Sequence, residues 1–304
     1  MTAGPQRCAG VELGGTKCIA VVAQGRDILA QAQWPTGKDA AATLNAVADW
    51  LIAAKAEHGF DALGIASFGP LCLDCHSADF GKILNTPKPG WAGVDVVRAL
   101  SGQLGVPVCF DTDVAGAALA EGLWGASVGC GVHVYLTIGT GIGGGVVIGG
   151  KPLHGAVHPE IGHIRVRRAV GDAFAGSCPV HGDCLEGLAS GPAIALRAGR
   201  PAETIAPTDP VWDNVAHELA ELMQMLILTL SPHRIVLGGG VGYGQSHLLV
   251  RVRKAAAEAL NAYLPGQTVA DLERVIVPAG LGAEAGVFGA LALAQSLPQE
   301  LSEI

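Results

Sequence analysis

Charge is sparse in this sequence: only 15% of its 304 residues are Asp, Glu, Lys or Arg. Basic excess is missing altogether, with 19 Lys and Arg against 27 Asp and Glu and a net charge of -8. That balance excludes a nucleic-acid scaffold, because a phosphate backbone is met by a basic surface. A small anionic ligand is not excluded, since backbone N–H groups bind anions without net positive charge. No uninterrupted apolar run approaches the ~20 residues of a membrane span, so no membrane partner is expected. The start, Met1-Thr2-Ala3-Gly4-Pro5-Gln6-Arg7, lacks the basic-then-apolar pattern of a signal peptide, and a cytoplasmic protein is expected. No low-complexity linker interrupts the chain. The eight cysteines are scattered and, without a secretory signal, are expected to be reduced; Cys18, Cys109 and Cys130 sit in apolar runs that read as core.

Half of the residues are hydrophobic, which is ample for a core and excludes a disordered class. Short β-like runs at Gly10–Leu13, Cys18–Val22 and Ile28–Ala30 predict a three-stranded meander. Helical spacing of Leu44, Val47, Leu51 and Ala54 predicts a helix over 39–58. A strand at Leu63–Ala66 follows, then a helix from about Gly93 to Leu104 and a strand at Val106–Phe110. Asp113 opens a helix over Val114–Leu123. The meander then recurs as Val132–Ile138, a Gly-rich turn and Gly145–Ile148. Beyond a loop-rich insert at 150–187, three helices and two strands are expected, among them a helix over Trp212–Leu230, the strand Arg234–Leu237 and a helix over Glu284–Gln295. A strand-turn-strand unit with a Gly-Thr turn thus appears twice, about 125 residues apart, which predicts a duplicated α/β unit in two lobes around a cleft.

Glu12-Leu13-Gly14-Gly15-Thr16-Lys17 joins two predicted strands. Adjacent glycines permit positive φ and let backbone N–H groups approach an anion, Thr16 adds a hydroxyl and Lys17 a charge. Glu12 is placed to hold Mg²⁺ through water, as hard oxygen ligands do. An ordinary Gly-Gly hairpin is the plain alternative. Thr137-Ile138-Gly139-Thr140-Gly141-Ile142-Gly143-Gly144-Gly145 fits the G-x-G-x-x-G dinucleotide expression, but that fingerprint needs a helix next, and Val146-Val147-Ile148 reads as a strand. A hairpin gripping a phosphate fits better. A third run, Gly238-Gly239-Gly240, offers a place for adenosine or an α-phosphate, or is a bland loop.

His163, Cys178, His181 and Cys184 form a constellation with metal-ligand spacing. Cys178-Pro179-Val180-His181-Gly182-Asp183-Cys184 sets three ligand types at two-residue gaps, as zinc knuckles do. Four protein ligands make a closed, structural site, and Asp183 is the weaker candidate. Cys72-Leu73-Asp74-Cys75-His76 matches the covalent-haem expression, which the missing export signal argues against. His154 and His158 read as loop or cleft residues.

These motifs resemble the ROK sugar kinases and, within them, the bacterial fructokinase branch. The resemblance runs over nearly the whole chain. It includes Glu12–Lys17, Ala66–Leu71, Thr86-Pro87-Lys88-Pro89-Gly90-Trp91, Asp111–Val114, Thr137–Gly145, His158–His163 and Cys178–Pro192. It implies the actin-like ATPase (ribonuclease H-like) fold, with a smaller lobe of residues 1–112 plus 285–304 and a larger lobe of 113–284 carrying a zinc loop at about 150–187. It implies ATP with Mg²⁺, a structural Zn²⁺, a hexose substrate and a homodimer. Fructose, converted to fructose 6-phosphate, is favoured over mannose, glucose or an N-acetyl sugar such as N-acetylmannosamine. The resemblance assigns Asp113 as general base. Gly69, Pro70, Thr112, Glu160, His163 and Glu186 go to the sugar. Gly14, Gly15, Thr16, Lys17, Thr137, Gly139, Thr140, Gly141, Gly239 and Gly240 go to ATP. One departure stands out: Ala115 occupies a position where the family usually carries Asn, which implies a lost hydrogen bond near the base. Two other classes compete, a sugar-binding repressor or catalytically weak sugar binder, and a dinucleotide oxidoreductase. The first would carry an added helix-turn-helix, which is not expected before Glu12, and the second needs a helix after Gly144 and an acidic ribose partner, neither of which is expected here.

Overall fold

The computed structural model of the chain describes residues 6–297, so the outermost parts of the expected smaller lobe, 1–5 and 298–304, lie outside the described residues. The chain runs β1 (Arg7–Leu13), β2 (Lys17–Gln24), β3 (Asp27–Pro35), α1 (Ala40–His58), β4 (Ala62–Ser67), α2 (Val96–Ser101), β5 (Val108–Thr112) and α3 (Asp113–Trp124). It continues through β6 (Val132–Ile138), β7 (Ile142–Ile148), β8 (Lys151–Pro152), α4 (Leu185–Ala189), α5 (Gly191–Ala198) and α6 (Val211–Leu230). It ends with β9 (Arg234–Gly238), α7 (Gly239–Gly244), α8 (Ser246–Leu260), α9 (Val269–Val275), β10 (Ile276–Pro278) and α10 (Ala285–Gln295).

Contacts divide the chain into two compact units, one of Met1–Ala120, Pro152–His158 and Glu284–Ile304, the other of Glu121–Lys151 and Pro159–Ala283. The first holds a five-stranded sheet in the order β3-β2-β1-β4-β5. β1 pairs antiparallel with β2 and parallel with β4, and β4 parallel with β5. The second sheet reads β8-β7-β6-β9-β10, the same order with β6 in the place of β1. Again the leading strand pairs antiparallel with the next and parallel with the one after the crossover. The repeat predicted from two glycine turns is therefore a repeat of whole sheets, and each has the actin-like, ribonuclease H-like topology.

In the first unit, α1 buries Leu44, Val47 and Leu51, the helical stripe visible in the sequence, in the core cluster that also holds Val11, Leu63 and Ile65. Asp39 caps its start by accepting from the Ala42 N–H, and Gly59 ends it with φ 66. α10 lies directly on β1 and β4, because a Cβ on Gly64 would overlap the Ala290 carbonyl. In the second unit, α6 inserts Trp212, Leu219 and Met223 among Leu136, Ile138, Ile235 and Leu237. A buried ion network fastens the insert to the helices of that unit: Arg197 binds Glu218 of α6 at 2.7 Å and Asp172 at 3.2 Å, and Arg168 binds Asp172 at 2.7 Å.

Three expectations are corrected. The helix expected over 93–104 is only the six residues of α2, started by the Asp95 cap and stopped at Gly102. Beyond the insert there are six helices among the described residues, not three, because α5, α7 and α9 are too short for hydrophobic period to show. Cys109 and Cys130 are half-buried, unlike Cys18. All eight cysteines are free thiols. Among the described residues no helix is long and apolar enough to cross a membrane.

Candidate active site

Register decides which loops meet. Leu13 of β1 stands opposite Ser67 of β4, and Ser67 opposite Thr112 of β5. The three parallel strands therefore end in one row, spanning two strand spacings or about 10 Å. From that edge emerge the Gly14–Lys17 turn, the Gly69-Pro70 segment and Asp113. Carboxyl ends of parallel strands are the general ligand edge of open α/β sheets. In the second unit Thr137 stands opposite Gly238, so the Gly139–Gly141 turn and Gly239-Gly240 likewise leave one edge together.

The first turn closes with the Gly14 N–H donating to Lys17 O at 3.0 Å. Thr36 struts it from the end of β3, donating its hydroxyl to Gly14 O at 2.7 Å and its N–H to Thr16 O at 2.9 Å. Gly15, Thr16 and Lys17 are exposed. Positive φ, the reason predicted for these glycines, is absent from Gly14 and Gly15 and from the glycines of 139–145. What glycine provides here is space. A Cβ at Gly15 would meet nothing within 4 Å, leaving its backbone open to an approaching anion, whereas at Gly141 it would come within 2.6 Å of Glu186 Oε2. Burial pushes the Glu12 carboxyl above its ordinary range, and Lys17 pulls it back down.

The second turn is held from three sides. Gly139 donates to Gly141 O at 2.9 Å, Gly191 donates to Gly139 O at 2.7 Å, and the Ile142 N–H donates to Glu186 Oε2 at 3.0 Å. Thr140 forms its exposed tip. A strand, β7, follows, and the dinucleotide reading is closed. Gly239 has φ 77 and packs so tightly on Ile138 that a Cβ would come 2.5 Å from its carbonyl oxygen, which brings the third glycine run against the base of this turn.

At the β5–α3 corner the helix cap falls to Thr112, whose hydroxyl accepts from the Ala115 N–H at 3.1 Å. Asp113, half-buried, accepts from the Val114 N–H at 2.9 Å. Asp113 is thus the first residue of α3, one position after its cap. The Ala115 side chain is buried, and its N–H is satisfied by Thr112. Asp111 accepts the Thr112 N–H on Oδ1 at 2.7 Å and the His154 Nε2–H on Oδ2 at 2.7 Å. The carboxylate raises the His154 pKa above its ordinary value. His158 is buried and accepts the Leu71 N–H on Nε2 at 2.9 Å, just past Gly69-Pro70. The two histidines read as loop residues thus tie the Pro152–His158 segment to the edge that carries Asp113.

His163, Cys178, His181 and Cys184 come together, with one ligand atom from each inside a 4.8 Å group. His163 Nδ1 lies 3.5 Å from Cys184 Sγ and 3.9 Å from Cys178 Sγ, and His181 Nδ1 lies 3.9 Å from Cys178 Sγ. Zinc bonds of about 2.0–2.3 Å in a tetrahedron require ligand separations of roughly 3.3–3.8 Å, and the three separations of 3.5–3.9 Å come close to that range. Burial pushes the Cys184 thiol up to about 11. Asp183 faces Arg165 and Arg168 instead, at 3.5 and 3.8 Å. Cys184 precedes α4, whose Glu186 reaches the second hairpin, and His163 ends the short turn that begins after exposed Glu160. Cys72 and Cys75 join no metal group among the described residues. Sequence reasoning missed Lys88: its Nζ donates to Gly15 O at 2.6 Å, at the tip of the first hairpin. A lysine inside a Pro-Lys-Pro-Gly-Trp loop was the only signal.

A fructokinase from Zymomonas mobilis is 46% identical over 93% of this chain and 95% of its own length. A fructokinase from Pediococcus pentosaceus is 38% identical over 94% and 96%. The crystal structure of a ROK family glucokinase from Streptomyces griseus, in complex with glucose and AMPPNP, superposes with a TM-score of 0.74 at 27% identity, covering 96% of this chain and 100% of that one. The sequence model of the ROK family matches residues 8–297. With two copies of one sheet topology, both glycine hairpins and a four-ligand Cys/His group in place, the chain belongs to the ROK family.

Proposed function

We propose that this protein is a sugar kinase that transfers the terminal phosphoryl group of ATP to fructose, giving fructose 6-phosphate. The observation that carries the reading is the shared edge of β1, β4 and β5, a row two strand spacings or about 10 Å wide, from which both a carboxylate and an open glycine hairpin emerge. Fructokinase is the name of both relatives reported above, and AMPPNP is bound in the glucokinase structure.

Phosphoryl transfer asks the protein for position and charge more than for covalent chemistry. Gly14–Lys17 and Gly139–Gly141 hold phosphates through backbone N–H groups, with Thr137, Gly239 and Gly240 completing the nucleotide contacts. Glu12 holds the Mg²⁺ of Mg-ATP through water. Asp113 takes the proton of the attacking sugar hydroxyl, a step worth roughly 10²–10⁴-fold. Gly69, Pro70, Thr112, Glu160, His163 and Glu186 bind sugar hydroxyls. His163, Cys178, His181 and Cys184 hold one zinc, which fixes the loop; with Nδ1 on the metal, His163 keeps Nε2 for a sugar oxygen. The working form is a cytoplasmic homodimer.

ADP release measured against a panel of fructose, mannose, glucose and N-acetylmannosamine tests the substrate. Fructose is expected to give the highest kcat/KM by about tenfold or more, a discrimination within reach of a few hydrogen bonds. Preference for another hexose would move the substrate assignment and leave the kinase reading in place.

A further inference from the structure

Two lysines stand near the first hairpin, and they are not equivalent. Lys17 follows the turn at the start of β2, and its charge offsets part of the rise that burial gives the half-buried Glu12 carboxyl. Lys88 arrives from a separate loop and donates from Nζ to Gly15 O at 2.6 Å. Its ammonium also sits over the Phe68 ring, 5.9 Å from the centroid. Phe68 packs edge-on against Trp91 at 5.3 Å, and Trp91 is fully buried with its indole N–H donating to Gly37 O at 2.8 Å. Gly90, at φ 83, presses so closely on the Lys38 carbonyl that no side chain fits there. The Thr86–Trp91 loop is thus anchored by its aromatic end, and the anchoring delivers one cation to the hairpin tip.

An ammonium has three donors, and Gly15 O takes one. The space where a Gly15 side chain would stand is open to 4 Å. In a chain of net charge -8, an anion at this tip is met by a local cation. We propose that Lys88 is a cation that contacts the phosphate held by the first hairpin. The assignment rests on the kinase reading and deepens it. A fixed ammonium beside the phosphate oxygens stabilises charge that develops in transfer, and its delivery on a loop separate from the hairpin makes it a distinct catalytic part.

Wild type and the variants Lys88→Met, Lys88→Gln and Lys88→Arg separate the possibilities. Mg-ATP binding is measured calorimetrically without sugar, and kcat/KM for ATP with fructose present. Lys88→Met is expected to lose about 10²-fold in kcat/KM for ATP and to bind Mg-ATP more weakly. Lys88→Gln keeps a donor for Gly15 but no charge and is expected to follow Lys88→Met, while Lys88→Arg recovers a large part of the loss. A Lys88→Gln protein that matches wild type makes Lys88 a prop for the hairpin and overturns the assignment, as does a wild-type-like Lys88→Met. Wild-type protein that binds no Mg-ATP overturns the kinase reading and this inference with it, and is told apart because the failure then precedes any substitution.

Discussion

Asp111, Thr112 and Asp113 are consecutive, and each does something different. Thr112 caps α3, Asp111 binds the Thr112 N–H and His154, and Asp113, the first residue of α3, is the acid–base candidate. Of the other candidate residues, Gly14–Lys17 and Gly139–Gly141 were legible because clustered glycines are costly inside β-branched runs. Lys88 and His154 were not, since each acts on a partner more than 40 residues away and no local pattern encodes that. The His154–Asp111 pair carries a pH signature. Its folded pKa is raised above the ordinary 6.5, so its contribution to stability is fully present below about pH 6.5 and fades as pH rises through the raised value. Urea unfolding of wild type and His154→Ala should therefore differ more at pH 6 than at pH 9. A larger difference at pH 9 would contradict the pairing.

Among elements, the Cys178–Cys184 loop is tied down by its own backbone and by close glycine packing. Cys178 and Gly182 exchange both backbone hydrogen bonds, and Gly176 and Gly187 pack so closely on Gly182 that side chains there would overlap its carbonyl. A metal on four such ligands orders a segment by on the order of 10 kcal/mol. One zinc per chain is expected by elemental analysis. Cys178→Ser is expected to lose it and to lower Tm by about 10 °C or more. A zinc-free protein with wild-type Tm and activity would sink the structural role. The ligands were readable because their spacing is local. The short helices α5 and α9 escaped hydrophobic pattern, yet carried readable caps: Ser190 accepts from Ala193, and Thr268 and Asp271 form a capping box.

For the whole molecule, the sequence disclosed a repeated hairpin, and the structure extends the repeat to five strands in the same order twice. The long strands and α1 and α6 were legible through their period. β8 and β10, of two and three residues, were not, because pairing alone defines them. Pro152–His158 and residues 284–297 join the unit of the first strands through contacts that are remote in sequence. The central claim, that a sugar hydroxyl is deprotonated by Asp113 beside a bound ATP, joins the fold to the chemistry. Its most direct test is fructose-dependent ADP formation by Asp113→Asn, an isosteric change that keeps an acceptor for the Val114 N–H, with Mg-ATP affinity measured on the same sample. The account predicts turnover reduced by about 10³-fold or more with Mg-ATP affinity and Tm within error of wild type. Near-normal fructose-dependent ADP formation by that variant would contradict it.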